Sequence, residues 1–381
     1  MKIGYLTTPL GQAGGWALYA RGVIESVSQL PDTTVIVLAG SHNIFLPQHI
    51  TLIPVLEDHI TYSFKDQCKV FFQCMKYLKG CDVVHLTFEK PMIGAALACR
   101  ILGATLVMTL HGTYSVPPSG RSFKDVMKRS FMRFAYKTAA ITTTGSFNTE
   151  DRVREIIPEL PECRFIPNGV DSRVFKKDPT VATGNYVLSV GWLKPRKGFD
   201  TMIEALQLLK DEFPHLRYKI IGGDTDTEDS DYYRLLQKLI SDSSLEERVE
   251  IRLGKISRED LAKEYNACKV FVLTSRDSGG HFEGFPMVYM EAFACGAPVV
   301  TTRGYGSEYA IQEGKNGYLV TQENPQETAD AIRQIITNED VYQSMKESAL
   351  QRAAEHFWSV IAPQIMILYK DGLKRNQRLV K

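Results

Sequence analysis

Two acidic residues, Glu283 and Glu291, bracket the run Gly284-Phe285-Pro286-Met287-Val288-Tyr289-Met290. Pro286 suits the first position of a helix, where its missing N–H costs nothing, so the run reads as a loop opening into a helix. The N–H groups of that first turn are then free to bind an anion or a sugar hydroxyl. Glu283 falls in the loop and Glu291 in the second turn, among Met290, Ala292 and Phe293. A carboxylate with apolar neighbours needs a partner. The hydroxyl pair of a ribose and the guanidinium of a neighbouring Arg both qualify.

A second run, Gly191-Trp192-Leu193-Lys194-Pro195-Arg196-Lys197-Gly198, joins a strand pattern to a helix pattern. Arg196 offers a planar fork and Lys197 a point charge, a combination suited to a diphosphate. A solvated basic turn is the plain alternative. The loop Gly11-Gln12-Ala13-Gly14-Gly15 follows the first apolar strand. Its bare backbone admits a close ligand, or it is only a tight turn. It does not spell G-x-G-x-x-G, which counts against a dinucleotide fold. His111 ends a strand in Leu110-His111-Gly112, a place where sheets of this kind bind ligands, although lone histidines are commonly structural. Gly222-Gly223 also follows a strand, either for ligand approach or for close packing.

These residues need strands to present them. Apolar strand runs at Lys2–Leu6, Thr34–Leu38, Val83–Leu86, Ala104–Leu110 and Ala140–Thr144 alternate with helical patterns in the first half. The helical patterns there include one around Ala17–Val27, then Gly94–Leu102 and Arg121–Lys137. A second cycle has strands Tyr186–Val190, Tyr218–Ile221, Val249–Leu253, Val270–Leu273 and Pro298–Thr301. Between them come helices Phe199–Leu209, Tyr232–Ser241, Arg258–Ala267 and Pro286–Ala294. Three terminal helices, Gln326–Thr337, Val341–His356 and Trp358–Lys374, complete the chain. Such alternation predicts parallel sheets with helical crossovers, hence two α/β Rossmann-like domains. The join is expected near Asp171–Gly184, where periodicity lapses around Pro179 and Gly184.

The 381 residues exceed one ordinary core, and 44% hydrophobic with 23% charged residues is a globular composition. A net charge of +1 excludes a strongly basic nucleic-acid binder. The start of the chain lacks a signal-peptide pattern, and no run is apolar enough to span a membrane. The seven cysteines, Cys68, Cys74, Cys81, Cys99, Cys163, Cys268 and Cys295, include no C-x-x-C pair. Reduced, buried thiols and a cytoplasmic setting are expected.

Taken together, these motifs resemble family four of the retaining GT-B glycosyltransferases. The resemblance rests on Glu283–Glu291 with its continuation Ala292-Phe293-Ala294-Cys295-Gly296-Ala297-Pro298-Val299-Val300. It also rests on Arg196-Lys197-Gly198, Asn168-Gly169-Val170-Asp171 and Gly314-Lys315-Asn316-Gly317-Tyr318-Leu319-Val320. The stretch Ser275–Glu283, with Ser278-Gly279-Gly280-His281, looks like the version in phosphatidylinositol mannoside-type mannosyltransferases. The resemblance implies an acceptor-side domain over 1–172 and a nucleotide-sugar domain over 173–357, facing across a cleft. It also implies a helix over 358–381 that crosses back to the first domain.

The same resemblance implies roles for individual residues. Arg196 and Lys197 would grip the donor diphosphate, Glu291 the ribose, and Glu283 the hydroxyls of the transferred sugar. Backbone around Gly191, Gly222, Gly284, Phe285, Pro286, Met287 and Val288 would line the donor. Gly15 would admit phosphates or acceptor, and His111 would stand beside the reacting centre. The expected activity is retaining hexosyl transfer from a UDP- or GDP-sugar to a glycan or lipid-linked acceptor, by front-face attack. No cofactor or metal is expected, because protein cations would steady the leaving group. Alternatives are an epimerase or hydrolase of the same fold, an inactive nucleotide-sugar-binding partner, and a Rossmann dehydrogenase. The basic, aromatic-rich segment Arg121–Lys137 and the basic tail Lys370, Lys374, Arg375, Arg378 and Lys381 would suit an anionic membrane, at its inner face. A solvated helix face with its aromatics packed inside is the competing reading.

Overall fold

A computed structural model describes residues 1–7, 10, 14–40, 46–57, 60–90, 92–223, 230–277, 282–304 and 306–379. The chain divides into two compact units, Met1–Gly169 with Trp358–Lys381, and Val170–Phe357. The stretch 171–184 belongs to the second unit and is tied to it. The Asp178 N–H donates to Asn266 Oδ1 (2.8 Å), and the Gly184 N–H to Ala267 O (2.7 Å).

In the first unit the strands are β1 (Lys2–Leu6), β2 (Thr34–Ala39), β3 (Thr51–Pro54), β4 (Val83–Leu86), β5 (Thr105–Leu110), β6 (Ile141–Thr144) and β7 (Cys163–Phe165). The helices among them are α1 (Gly15–Ser28), α2 (Phe64–Tyr77), α3 (Met92–Leu102), α4 (Phe123–Thr138) and α5 (Phe147–Ile156). The sheet order is β3-β2-β1-β4-β5-β6-β7, and every pairing is parallel. Strands β4, β5 and β6 are buried along their whole length, as sheets covered on both faces require.

The second unit has β8 (Tyr186–Val190), α6 (Phe199–Leu209), β9 (Arg217–Ile221), α7 (Asp231–Asp242), β10 (Val249–Arg252), α8 (Arg258–Ala267), β11 (Val270–Leu273) and α9 (Met287–Ala294). It continues through β12 (Val299–Thr302), α10 (Ser307–Ala310), β13 (Gly317–Val320), α11 (Pro325–Thr337) and α12 (Glu339–Ala354). Its sheet order is β10-β9-β8-β11-β12-β13, again parallel throughout. The architecture is therefore two all-parallel α/β sheets, each with its own core.

Two readings of the sequence need revision. The helix α4 packs only part of its aromatic set inside, Tyr136 and Phe134 but not Phe123 or Phe131. Met132, Ala135 and Tyr136 are its buried face, whereas Phe123 is 83% exposed and Val126, Met127 and Phe131 also face solvent. Periodicity marked the stripe but could not say which side the protein would cover. The helix α9 begins at Met287, not Pro286. Pro286 has ψ 118°, the extended backbone of a cap residue. A fixed φ near −65° serves either position.

The final helix α13 (Trp358–Leu379) belongs to the first unit. Its Tyr369 hydroxyl lies 2.9 Å from that of Tyr5 and 2.7 Å from Nδ1 of His85, all three buried. Nε2 of His85 meets the Thr109 hydroxyl (2.8 Å), which also contacts Tyr19 Oη (3.0 Å) and Thr143 Oγ1 (2.9 Å). Burial, with a smaller contribution from His111, holds His85 at about 3, so the imidazole is neutral and the network carries no charge. All seven cysteines are free. Replacing Tyr369 with Phe leaves His85 and Tyr5 short of a partner, at a cost of about 1–3 kcal/mol. The melting temperature should fall by several degrees. A change under about 1 °C by differential scanning fluorimetry would show that the hydroxyl does not hold α13 in place.

Candidate functional site

In an open parallel sheet, ligands sit beyond the carboxyl ends of the strands where the order reverses. In the second unit that point is the β8–β11 pair. The loop after β8 runs into a single 3₁₀ turn, Pro195–Lys197, and then α6. Gly198 joins turn and helix at φ +68°, and a Cβ there would stand 1.9 Å from the Thr274 carbonyl oxygen. Only glycine fits. Thr274 Oγ1 donates to Gly198 O (2.6 Å) and the Arg276 N–H donates to Arg196 O (2.9 Å), so the basic turn is stitched to the end of β11.

Onto this turn comes Glu283, from the loop that follows β11. Its carboxylate accepts from the Arg196 guanidinium and pairs with Lys197 Nζ at 2.7 Å. Glu283 is 9% exposed and Lys197 8%. Burial pushes the Glu283 carboxyl up, but Lys197 and then Arg196 outweigh it, and the group sits below the ordinary glutamate range. The three residues thus form an ionised cluster of net charge +1 with one spare positive charge.

Glu291 occupies the second turn of α9, 4% exposed. Among the described residues no Arg forms an ion pair with it. The Tyr265 hydroxyl on α8 donates to its Oε2 at 3.1 Å. Burial raises Glu291 to about 7, against the opposing pull of Arg258 and the Tyr265 hydrogen bond. Arg258 is itself paired with Asp171 (3.3 Å). Gly284 O accepts from the Gly306 N–H (3.0 Å), and Phe285 lies nearly parallel to His356 with centroids 6.4 Å apart, which fixes the loop that enters α9. The first-turn N–H groups of Met287 and Val288 have no acceptor within the helix. At Gly222 internal packing demands glycine, since a Cβ would lie 2.0 Å from Gly191 O. The Gly191 N–H in turn donates to Ile221 O (3.0 Å).

In the first unit the reversal lies at β1–β4. Gly15 opens α1, and a Cβ on Gly14 or Gly15 would meet nothing within 4 Å. Neither packing nor a positive φ asks for glycine at either place. Residues 11–13 of that loop, and the 278–281 run with His281, lie outside the described residues. His111 follows β5 directly. Its Nε2 lies 2.8 Å from the Thr87 carbonyl, which can only accept, so Nε2 carries the proton and Nδ1 is bare. Burial lowers His111, opposed by Glu89 and by the Thr87 bond, and the Tyr19 ring packs edge-on at 4.6 Å.

The structure therefore gathers Arg196, Lys197 and Glu283 at one point and sets Glu291 against Tyr265. Two residues escaped the sequence reading. Tyr265 looked like one more apolar position of α8. Glu89 stands three residues past β4, where an acid after a buried strand was the available signal. Among the described residues no three His, Cys, Asp or Glu side chains converge to hold a metal ion.

Two family models match the chain. Glycosyl transferases group 1 covers residues 171–352, and Glycosyltransferase Family 4 covers 14–174. The D-inositol 3-phosphate glycosyltransferase of Thermobispora bispora is 26% identical, with 98% of this chain and 95% of the relative covered. A GDP-mannose-dependent alpha-(1-6)-phosphatidylinositol monomannoside mannosyltransferase of Mycobacterium tuberculosis is 24% identical, covering 74% of each. Among solved structures, Anabaena HepE in complex with UDP and glucose shares the fold, with TM-score 0.75 and 23% identity over 97% of this chain and 99% of that one.

The position of Glu291 makes a pH prediction. Its folded value, about 7, exceeds the ordinary 4.5. The folded chain therefore holds a proton that the unfolded chain gives up, and stability from this group declines as pH rises from 4.5 through 7. Glu291→Gln, always neutral, should gain on wild type with rising pH, by roughly 3 kcal/mol at most. Melting curves at pH 5.5 and pH 8 check this, and an equal difference at both pH values would refute it.

Proposed function

The chain belongs to the group 1 glycosyltransferases and has the GT-B fold, and from that premise we propose that it transfers a hexose from a UDP- or GDP-sugar to a glycan or lipid-linked acceptor with retention of anomeric configuration. The observation that carries this reading is the Arg196–Lys197 turn, locked by Gly198 to the end of β11 at the point of strand reversal. When the glycosidic bond to the diphosphate breaks, negative charge grows on the leaving oxygen and the sugar becomes oxocarbenium-like. Cations already fixed there stabilise that state at no reorganisation cost. Glu283 now occupies both cations. An arriving diphosphate would take them over and leave the Glu283 carboxylate to accept hydroxyls of the sugar.

Glu291 would receive the ribose hydroxyls, which requires its ionised form, and His111 would offer the bare Nδ1 to a sugar hydroxyl. Retention is assigned to front-face attack, in which the departing phosphate oxygen takes the acceptor proton. The protein cations fill the role a metal has in other transferases. Peripheral contact with an anionic membrane is supported by α4, whose outward stripe of Phe123, Val126, Met127 and Phe131 is flanked by exposed Arg121, Lys124, Arg133 and Lys137. No described helix is long and apolar enough to cross a membrane.

A thermal-shift and turnover screen across UDP- and GDP-sugars should yield a donor, with activity undiminished by EDTA. Lys197→Ala should cut kcat about 100-fold, while Glu291→Ala should weaken nucleoside-diphosphate binding about 10-fold. Normal kinetics in both variants, or an EDTA loss restored by Mg²⁺ or Mn²⁺, would overturn the reading. Proton NMR of the product reports the anomeric configuration. Sedimentation with anionic vesicles should fall on adding salt and in Phe123→Ser, and no binding at low salt would end the membrane claim.

A further inference from the structure

Glu89 is a buried carboxylate without a cation. It is 2% exposed, and among the described residues it forms no ion pair with Lys or Arg. Its recorded donors are two, both on Oε1: the backbone N–H of His111 (3.1 Å) and the Ser115 hydroxyl. Oε2 accepts nothing among the described residues. A buried carboxylate needs hydrogen-bond donors, and these two meet it at Oε1.

Its position shows what those two bonds hold. The residue lies just past β4, at the strand reversal of the first sheet, next to the end of β5. The Ser115 hydroxyl lies 2.7 Å from the same His111 N–H, and the Ser115 carbonyl accepts from the buried Tyr136 hydroxyl at 2.6 Å. The turn Thr113–Ser115 is thus anchored to the core through α4 and to Glu89 through its hydroxyl. The His111 amide is pinned by Glu89, and its ring is pinned by the Thr87 carbonyl. Backbone and imidazole are both held, so the direction of the bare Nδ1 is set.

We propose that Glu89 is a positioning residue, which with Ser115 clamps the His111 amide and aims His111 at the sugar undergoing transfer. The proposal rests on the reading of His111 given above. Glu89 itself touches no substrate.

The test compares Glu89→Ala, Glu89→Gln, Ser115→Ala, His111→Ala and the Glu89→Ala/His111→Ala double variant of the whole chain, using the donor found by screening. Glu89→Ala should lower kcat about 10- to 100-fold, the scale of a misdirected group. Nucleoside-diphosphate affinity, governed by the second unit, should stay within about 2-fold. Glu89→Gln, which keeps an acceptor oxygen, should recover most of the rate, and Ser115→Ala should show a smaller loss of the same kind. The double variant should be no slower than His111→Ala alone, because both act through one group. Should Glu89→Ala fail to fold, Ser115→Ala and Glu89→Gln carry the comparison. Wild-type kcat in folded Glu89→Ala and Ser115→Ala would overturn the proposal, as would losses that add in the double variant. Unimpaired turnover in His111→Ala would instead sink the role of His111, and the clamp's purpose with it.

Discussion

One carboxylate between two cations organises the second unit. Glu283 draws the loop after β11 onto the turn after β8, and each side of the contact would be expensive alone. Lys197 and Glu283 are both nearly buried, so neither has water enough to remain charged without the other. The pairing keeps the basic turn ordered while leaving one positive charge unspent. A structural salt bridge would neutralise itself. An anion site has to retain a surplus, and this cluster does.

The surplus has a defined place because the backbone allows few alternatives. Gly198 must accept a left-handed turn directly under Thr274 O, and Gly222 must let Gly191 O approach within contact. These close approaches bring the ends of β8, β9 and β11 tightly together, which is what lets side chains from separate loops converge. The parallel sheet supplies the direction, since every carboxyl end points the same way. The chain order supplies the location, since neighbouring loops at β8 and β11 leave toward opposite sides.

How much of this the sequence revealed follows from where each interaction lives. Strands buried on both faces, such as Lys2–Leu6, Val83–Leu86 and Val270–Leu273, were legible to the residue because burial makes them continuous apolar runs. The short edge strands Thr51–Pro54 and Gly317–Val320 were not, because four residues bounded by Pro54 or opened by Gly317 leave too short a run to show a period. Helix α2 was lost because Phe64 and Phe72 stand in solvent and blur the stripe that Val70 and Cys74 would give. In the site, Arg196, Lys197, Glu283 and Glu291 announced themselves by type and spacing. Their partners did not. That Glu283 would hold Arg196 and Lys197, and that Tyr265 would hold Glu291, depends on β8 lying beside β11 and on α8 lying beside α9, which no local pattern states.

The two units also differ in how they manage charge, and the difference bears on the chemistry. Around the turn after β8 the second unit pairs Arg196 and Lys197 with Glu283, an arrangement that suits the proposed transfer from a diphosphate. Around the end of β5 the first unit does the reverse. His85 is neutral within a network of hydroxyls, and burial also lowers His111, whose ring proton is fixed on Nε2. In the reaction proposed for this chain, an imidazolium beside a sugar approaching an oxocarbenium ion would raise the barrier by repulsion, whereas a neutral ring with a bare nitrogen would accept a hydroxyl without opposing the developing positive charge. Glu89, buried next to the His111 amide, is an acid rather than a base, which suits such a centre. A cation in its place could not accept from the His111 amide and would also work against the proposed reaction.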